Sequence, residues 1–197
     1  MTLTLAFIPA VIAVLCTLFN LVRRRWLTNL ISLAIQFVAM FIVVLNVWVF
    51  SVAIIKLIVG LVTVGIIAYS LSSLDMLKAA VRFAPFREGE LFRAFTGICL
   101  ILFILIFQPQ AQATMFPRSP QALLFCALSV MGISLLQLGL KAEPFYILIG
   151  LLGFLAGFEL LYASLEYSAL LEGLFTVIKL GLALAAPYIF SVEKGAL

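Results

Sequence analysis

Apolar runs of about 20 residues recur along the whole chain, separated mainly by short polar segments. The hydrocarbon core of a bilayer is about 30 Å thick, so each run is long enough for one helical crossing. Because lipid offers the backbone no hydrogen-bond partners, such runs fold as helices that satisfy their own amides and carbonyls. The sequence therefore predicts an all-α, polytopic integral membrane helix bundle with about seven transmembrane helices.

The predicted spans end where polar residues, prolines or turns interrupt the apolar runs. They cover about residues 3–22, 27–48, 51–71, 91–108, 120–140, 144–163 and 168–190. The run from 27 to 71 is too long for one crossing, so we divide it at an uncharged turn near Asn46–Ser51. The fourth span is predicted to stop at Gln108-Pro109, and a short tail follows the seventh. No basic segment precedes the first run, which predicts a retained span rather than a cleaved signal peptide.

The spans divide the chain into four parts. Residues 1–71 form an N-terminal three-helix membrane segment, 72–92 a cytoplasmic interfacial loop or amphipathic helix, 91–140 two middle membrane helices, and 143–197 a C-terminal two-helix core with a short tail. Within 72–92, apolar residues mix with Lys78 and Arg82 at helical spacing ahead of Pro85, as in an interfacial helix. This segment either docks to a partner subunit or lies as a solvated loop on the headgroups.

The loop charges predict that the N-terminus lies outside and the C-terminus in the cytoplasm. With seven spans, the cytoplasmic side receives nine basic residues, namely Arg23, Arg24, Arg25, Lys78, Arg82, Arg87, Arg93, Lys141 and Lys194. The opposite side receives only Arg118. A count of six spans would place the tail on the same side as the N-terminus and weaken this asymmetry.

Composition excludes several classes of site. The chain has no histidine, which removes His-ligated haem, His-zinc centres and imidazole bases. Its three cysteines, Cys16, Cys99 and Cys126, fall in separate spans without a C-x-x-C pair, so no metal or cofactor is predicted. The net charge of +4 reflects membrane topology, and no nucleic-acid partner is expected.

Four ionisable residues, Lys56, Glu159, Glu172 and Lys179, lie inside the predicted spans. Each costs roughly 2.5–3.5 kcal/mol at membrane depth, so such residues are rarely kept without a partner or a task. Counting from the span ends places them at similar depths, and we expect them to converge in the outer and middle membrane. They either relay protons or hold helices together as buried ion pairs. Glu166 and Gln36 are possible accessory residues.

Three glycines of the sixth span, Gly150, Gly153 and Gly157, are spaced by three and four residues. Gly173 and Gly181 occur in the seventh span. Small residues at such spacing let helices approach closely, so we predict that they pack against neighbouring helices.

Residues 146–190 include the runs Leu148-Ile149-Gly150-Leu151 and Gly181-Leu182-Ala183-Leu184. This stretch resembles the two-helix core of the small K-type membrane subunit of bacterial complex I. The layout of the whole chain is similar to that of the hydrogenase-4 component E type subunit, with Ile54-Ile55-Lys56 and Ile106-Phe107-Gln108-Pro109 at the corresponding places. The chain departs from the K-type pattern at the first acidic position, where Leu152 stands and Glu159 follows two turns later.

The resemblance implies a non-catalytic membrane subunit of a redox-driven ion pump, which binds no cofactor itself and contacts other membrane subunits, including antiporter-like ones. Lys56, Glu159, Glu172 and Lys179 would then couple electron transfer to proton or sodium movement. The expected location is a bacterial plasma membrane or another energy-coupling membrane such as the thylakoid. Two alternatives remain: a structural or assembly subunit of another membrane complex, and a self-standing transporter, against which the lack of an internal repeat argues.

Overall fold

The computed structural model describes residues 2–45, 47–48, 50–73, 89–117, 119–165 and 169–195. Within these residues every regular element is an α-helix. We number the helices α1 (Thr2–Val22), α2 (Trp26–Val44), α3 (Phe50–Ser73), α4 (Glu90–Thr114), α5 (Gln121–Leu140), α6 (Pro144–Ala163) and α7 (Ala169–Gly195).

Six of these helices, α2 to α7, are long and apolar enough to cross a membrane, and α1 contributes the apolar segment Phe7–Val22. The predicted all-α, polytopic membrane bundle is therefore confirmed, with six or seven helices of suitable length and composition. The four-part division of the chain stays a prediction.

The helices form two layers, and each layer consists of helices that are consecutive in the sequence. Helices α1, α2 and α3 pack side by side in one layer, and α4, α5, α6 and α7 do so in the other. Across the layers α1 contacts α4 and α5, α2 contacts α5 and α6, and α3 contacts α7. Apolar side chains such as Leu33, Phe37, Ile133 and Leu152 fill the space between them. Helices α2, α5 and α6 are the most enclosed, whereas α3, α4 and α7 expose most of their apolar surface.

Three basic residues meet at one end of the bundle, which we call the basic end. The Lys141 Nζ donates hydrogen bonds to the carbonyls of Asn20 and Arg23, and Arg24 Nη1 lies 3.3 Å from Glu143 Oε1. Arg93 occupies the first turn of α4, which packs there against the last turns of α1. The gathering of basic residues at one end agrees with the loop-charge pattern, while the side of the membrane that this end faces stays a prediction.

Three predicted boundaries differ from the observed ones. The prediction that the fourth span stops at Gln108-Pro109 was wrong, because α4 continues through Pro109 to Thr114. A proline removes one backbone donor, and here Gln108 holds the segment by donating its Nε2 to the Gln121 carbonyl at 2.8 Å. Helix α2 ends at Val44 rather than near 48, so Trp48 belongs to the turn before α3. Helix α7 runs to Gly195, and the predicted tail is therefore largely helical.

The predicted glycine packing is confirmed for α6 and wrong for α7. A Cβ placed on Gly150, Gly153 or Gly157 would meet atoms of α5, whereas one on Gly173 or Gly181 would meet nothing within 4 Å. Residues 74–88 of the predicted interfacial segment, together with Asn46, Arg118 and Glu166, lie outside the described residues.

Candidate functional site

Helices α3, α6 and α7 bring Lys56, Glu159, Glu172 and Lys179 together near the end of the bundle opposite the basic end. At 1.5 Å per residue, Lys56 lies about 9 Å along α3, and Glu159 lies about 6 Å before the last residue of α6. By the same measure Glu172 lies about 5 Å and Lys179 about 15 Å along α7. The four side chains thus reach from near one bundle end to the middle of a helix that spans about 30 Å of hydrocarbon.

The four groups form one continuous chain of ion pairs, which we call the ion-pair network. Lys56 Nζ lies 3.1 Å from Glu172 Oε1 and 3.3 Å from Glu159 Oε1. The second oxygen of Glu159, Oε2, accepts a hydrogen bond from Lys179 Nζ. The order is therefore Glu172, Lys56, Glu159, Lys179, with opposite charges alternating along it.

Every contact in the network joins two different helices. Glu172 and Lys179 share a face of α7, as their spacing of seven predicts, yet they contact different partners. Glu159 is the central carboxylate and forms ion pairs with both lysines. The network therefore ties α3, α6 and α7 together through charges that cancel, two positive and two negative.

The network is shielded from its surroundings. The side chains of Glu159 and Lys179 are 6% and 4% exposed, and those of Lys56 and Glu172 are 11% and 12% exposed. Lys56 Nζ also sits 4.0 Å from the centre of the Trp48 ring, and Lys179 Nζ 5.8 Å from that of Phe37. In such low-dielectric surroundings an ion pair is strong, but each unpaired charge would be very costly.

A cavity of about 30 Å³ adjoins the network between α2, α3, α6 and α7. Lys56, Glu159 and Lys179 line it together with apolar residues of α2 and α6. One water needs a cavity of roughly 10–15 Å³, so this cavity has room for about two waters. Lys56 Nζ lies within ion-pair distance of both carboxylates without an aligned hydrogen bond to either, which leaves its N–H groups available to such a water.

The arrangement can shift protons without creating net charge. Transfer of one proton from Lys179 Nζ to Glu159 Oε2 converts a charged pair into a neutral amine and a carboxylic acid. The same transfer at Lys56 and Glu172 has the same effect, and Glu159 connects the two events. A change of charge outside the network would alter which of these forms is favoured, because Coulomb interactions are weakly screened in this environment.

Of the two accessory candidates, the structure describes only Gln36. It lies on α2 between the layers, 1% exposed, and neither its Oε1 nor its Nε2 makes a hydrogen bond to a described residue. Gln36 makes no hydrogen bond to the ion-pair network, but the next residue, Phe37, lines the cavity.

Two residues that matter for the charged groups were not predicted from the sequence. Trp48 donates a hydrogen bond from its Nε1 to the Ala163 carbonyl at 3.0 Å, and so fixes its ring against Lys56.

Lys141, counted only as a loop charge, is 1% exposed and donates to the Asn20 and Arg23 carbonyls at 2.6 and 2.7 Å. It closes the C-terminal end of α1, where helix carbonyls lack partners of their own. Its position directly after an apolar helix carried no signal of burial.

Burial lowers the pKa of Lys141 to about 7, and the nearby positive charges of Arg93 and Arg24 act in the same direction. Below pH 7 both the folded and unfolded states hold this proton. Between about pH 7 and the ordinary lysine value of 10.5 only the unfolded state does, so raising the pH stabilises the fold. We expect the Tm of the wild type to rise from pH 7 to 9 relative to that of Lys141→Met. A constant difference between their Tm values in a detergent-solubilised melt would contradict this.

Among the described residues, no group of three or more histidine, cysteine, aspartate or glutamate side chains is arranged to hold a metal ion. The three cysteines are free thiols. Comparison with known proteins added no identification, since no family model, curated protein or solved structure matches this chain.

Proposed function

We propose that the chain is a non-catalytic membrane subunit of a complex I-like or membrane-bound hydrogenase-like redox-driven ion pump. In this role the ion-pair network couples electron transfer in partner subunits to the movement of protons or sodium ions. The observation that carries the proposal is the continuous chain of four titratable groups beside a cavity with room for water. Ionisable groups at membrane depth mark ion pathways and proton relays.

The resemblance of residues 146–190 to the K-type subunit supplies the class of partner. The proposed partners are other membrane subunits, including antiporter-like ones, within an energy-coupling membrane such as the bacterial plasma membrane. Exposed apolar residues on α3, α4 and α7 are compatible with both lipid and neighbouring subunits. Native gel electrophoresis of solubilised membranes with mass spectrometry tests the partnership. Comigration with antiporter-like subunits supports it, and migration of the chain alone contradicts it.

Neutralising the network should stop pumping by those complexes that contain the variant chain. We expect Glu159→Gln and Lys179→Met to remove most of the proton gradient formed by membrane vesicles supplied with an electron donor. Glu143→Gln is the matched control, because Glu143 pairs with Arg24 in a partly exposed position at the basic end. Wild-type pumping in both network variants, with the chain present in the complex, would rule out the relay.

A structural or assembly role is the second candidate, and one observation favours it. The network has no net charge, and each of its members has a partner within the chain. Buried ion pairs can often be replaced by neutral residues without loss of stability. The fourfold variant Lys56→Met, Glu159→Gln, Glu172→Gln, Lys179→Met separates the two roles. Normal pumping by this variant would establish the structural role, and assembly without pumping would establish the relay.

A further inference from the structure

A second group of buried polar residues extends from the basic end toward the ion-pair network. Its members lie between the two helix layers and are each at most 1% exposed. They are Asn20, Asn29, Gln36, Ser134, Gln137 and Lys141. We call this group the polar row.

The polar row is continuous at the basic end. The Arg23 carbonyl accepts hydrogen bonds from both Lys141 Nζ at 2.7 Å and Asn29 Nδ2 at 3.2 Å. Lys141 also donates to the Asn20 carbonyl. Polar groups from the C-terminal ends of α1 and α5 and from the start of α2 therefore meet at one point.

From that point the row follows α2 and α5 into the bundle. Asn29 and Gln36 are seven residues apart on α2. Ser134 and Gln137 are three residues apart on α5, and Lys141 follows four residues later as the C-cap of that helix. Such spacings keep side chains on one helix face. The two faces meet again at Gly153, where a Cβ would contact Ser134 Oγ and lie 3.8 Å from Gln36 Nε2.

The inner end of the row approaches the network through residues next to it in the sequence. Phe37 and Met40, which follow Gln36 on α2, line the cavity beside Lys56, Glu159 and Lys179, and so does Ala156 one turn after Gly153. Along α6, Glu159 lies about 9 Å beyond Gly153, and Lys141 lies about 10 Å from Ser134 along α5. The whole distance is about 20 Å, of the order of two-thirds of the hydrocarbon thickness.

Several atoms of the row have no partner among the described residues. Asn20 Oδ1, Asn29 Oδ1 and both polar atoms of Gln36 make no hydrogen bond to any residue that the structure describes. A buried polar atom left in this state costs roughly 1–3 kcal/mol. Four such atoms on three residues of the row are best satisfied by bound water, which typically makes two to four hydrogen bonds in polar interiors.

We propose that the polar row is a hydrated proton path from the basic end to the ion-pair network. Waters held by Asn20, Asn29, Gln36 and Ser134 would each accept one proton and release another. The proton taken up at the basic end would reach the Glu159 carboxylate, and the cavity waters would complete the connection. The direction in which protons move along the row rests on the proposed function, but the hydration of the row does not.

Hydration is tested on the full chain in lipid bilayers, without any partner. Water-edited solid-state NMR of protein labelled with ¹⁵N-glutamine measures how fast water magnetisation reaches each side-chain amide, and Gln36→Leu identifies the Gln36 signal. We expect Gln36 to respond nearly as fast as the exposed Gln110. Gly153→Ala should remove this response, whereas Gly139→Ala, whose Cβ would meet nothing within 4 Å, should not. A Gln36 signal as slow as that of the buried Gln108 side chain, whose Nε2 donates to the Gln121 carbonyl, would overturn the proposal.

Proton flux is tested in membrane vesicles that contain the assembled complex. Gln36→Leu and Gly153→Ala should slow proton pumping by roughly tenfold or more, since one displaced link interrupts the transfer. Gln112→Leu is the control. Gln112 lies near the C-terminal end of α4, away from the polar row, and its Nε2 donates a hydrogen bond to the Ser119 carbonyl. Normal pumping in both row variants, with Glu159→Gln inactive, would exclude the row as the path. Normal pumping in Glu159→Gln as well would refute the proposed function instead, and the NMR result alone would then decide whether the row is hydrated.

Discussion

Glu159→Gln is expected to lower the free energy of unfolding by about 3–5 kcal/mol, which would make it among the most damaging single changes in the chain. Glu159 is the central carboxylate of the network and the partner of both lysines. Its neutralisation leaves Lys179 without a carboxylate partner in a site where its side chain is 4% exposed. Reversible unfolding in mixed detergent micelles, followed by circular dichroism, measures the change.

The position of each residue in the network also predicts how the losses in the free energy of unfolding rank among the other network variants. Glu172→Gln should cost less, because Lys56 keeps Glu159 as a partner. The double variant Glu159→Gln, Lys179→Met should recover much of the loss, since it leaves only the balanced pair of Lys56 and Glu172. Equal costs for Glu159→Gln and Glu172→Gln, with no recovery in the double variant, would show that the network does not act as a connected unit.

This recovery bears on function as well as on stability. A purely structural network needs only charge balance, so the double variant would regain both stability and pumping. A relay needs the titratable groups themselves, so the double variant would regain stability and remain inactive. The two measurements together therefore distinguish the roles that the geometry alone permits.

Much of the fold was predictable because the bilayer imposes simple rules. A run of about 20 apolar residues has one stable form in lipid, which is why helix number and most boundaries follow from the sequence. Boundaries failed where a local interaction overrode a residue preference, as at Pro109, where the Gln108 side chain bonds to the next helix. Depth counting also placed Lys56, Glu159, Glu172 and Lys179 at compatible levels of the bundle.

What the sequence could not predict was which helices become neighbours. Glu172 and Lys179 share a face of one helix, but their partners, Lys56 and Glu159, come from α3 and α6. Similarly, the burial of Lys141 depends on α5 ending beside the last turn of α1. Apolar helices in lipid have no strong preference for a particular partner, and their arrangement depends on the detailed fit of small and large side chains.

That fit makes Gly157→Ala the second change for which we expect a large effect. A Cβ on Gly157 would lie 2.7 Å from the Met131 backbone nitrogen, 3.0 Å from its Cα and 3.1 Å from the Ala127 carbonyl oxygen. These are backbone atoms of α5 and cannot rotate away, so the two helices must separate. Overpacking of this kind typically costs about 1–3 kcal/mol, and we expect the upper part of that range.

The same displacement should reach the ion-pair network, because Glu159 is two residues further along α6. Gly157→Ala is therefore expected to lower both the Tm of the purified chain and the proton pumping of the complex. Gly139→Ala on α5 is the matched control, since its Cβ would meet nothing within 4 Å and alanine is the better helix former by about 1 kcal/mol. If Gly157→Ala melts at or above the temperature of Gly139→Ala, then α5 and α6 do not pack as closely as described. If it is destabilised but pumps normally, the position of Glu159 tolerates a shift of α6, which would favour the structural role of the network over the relay.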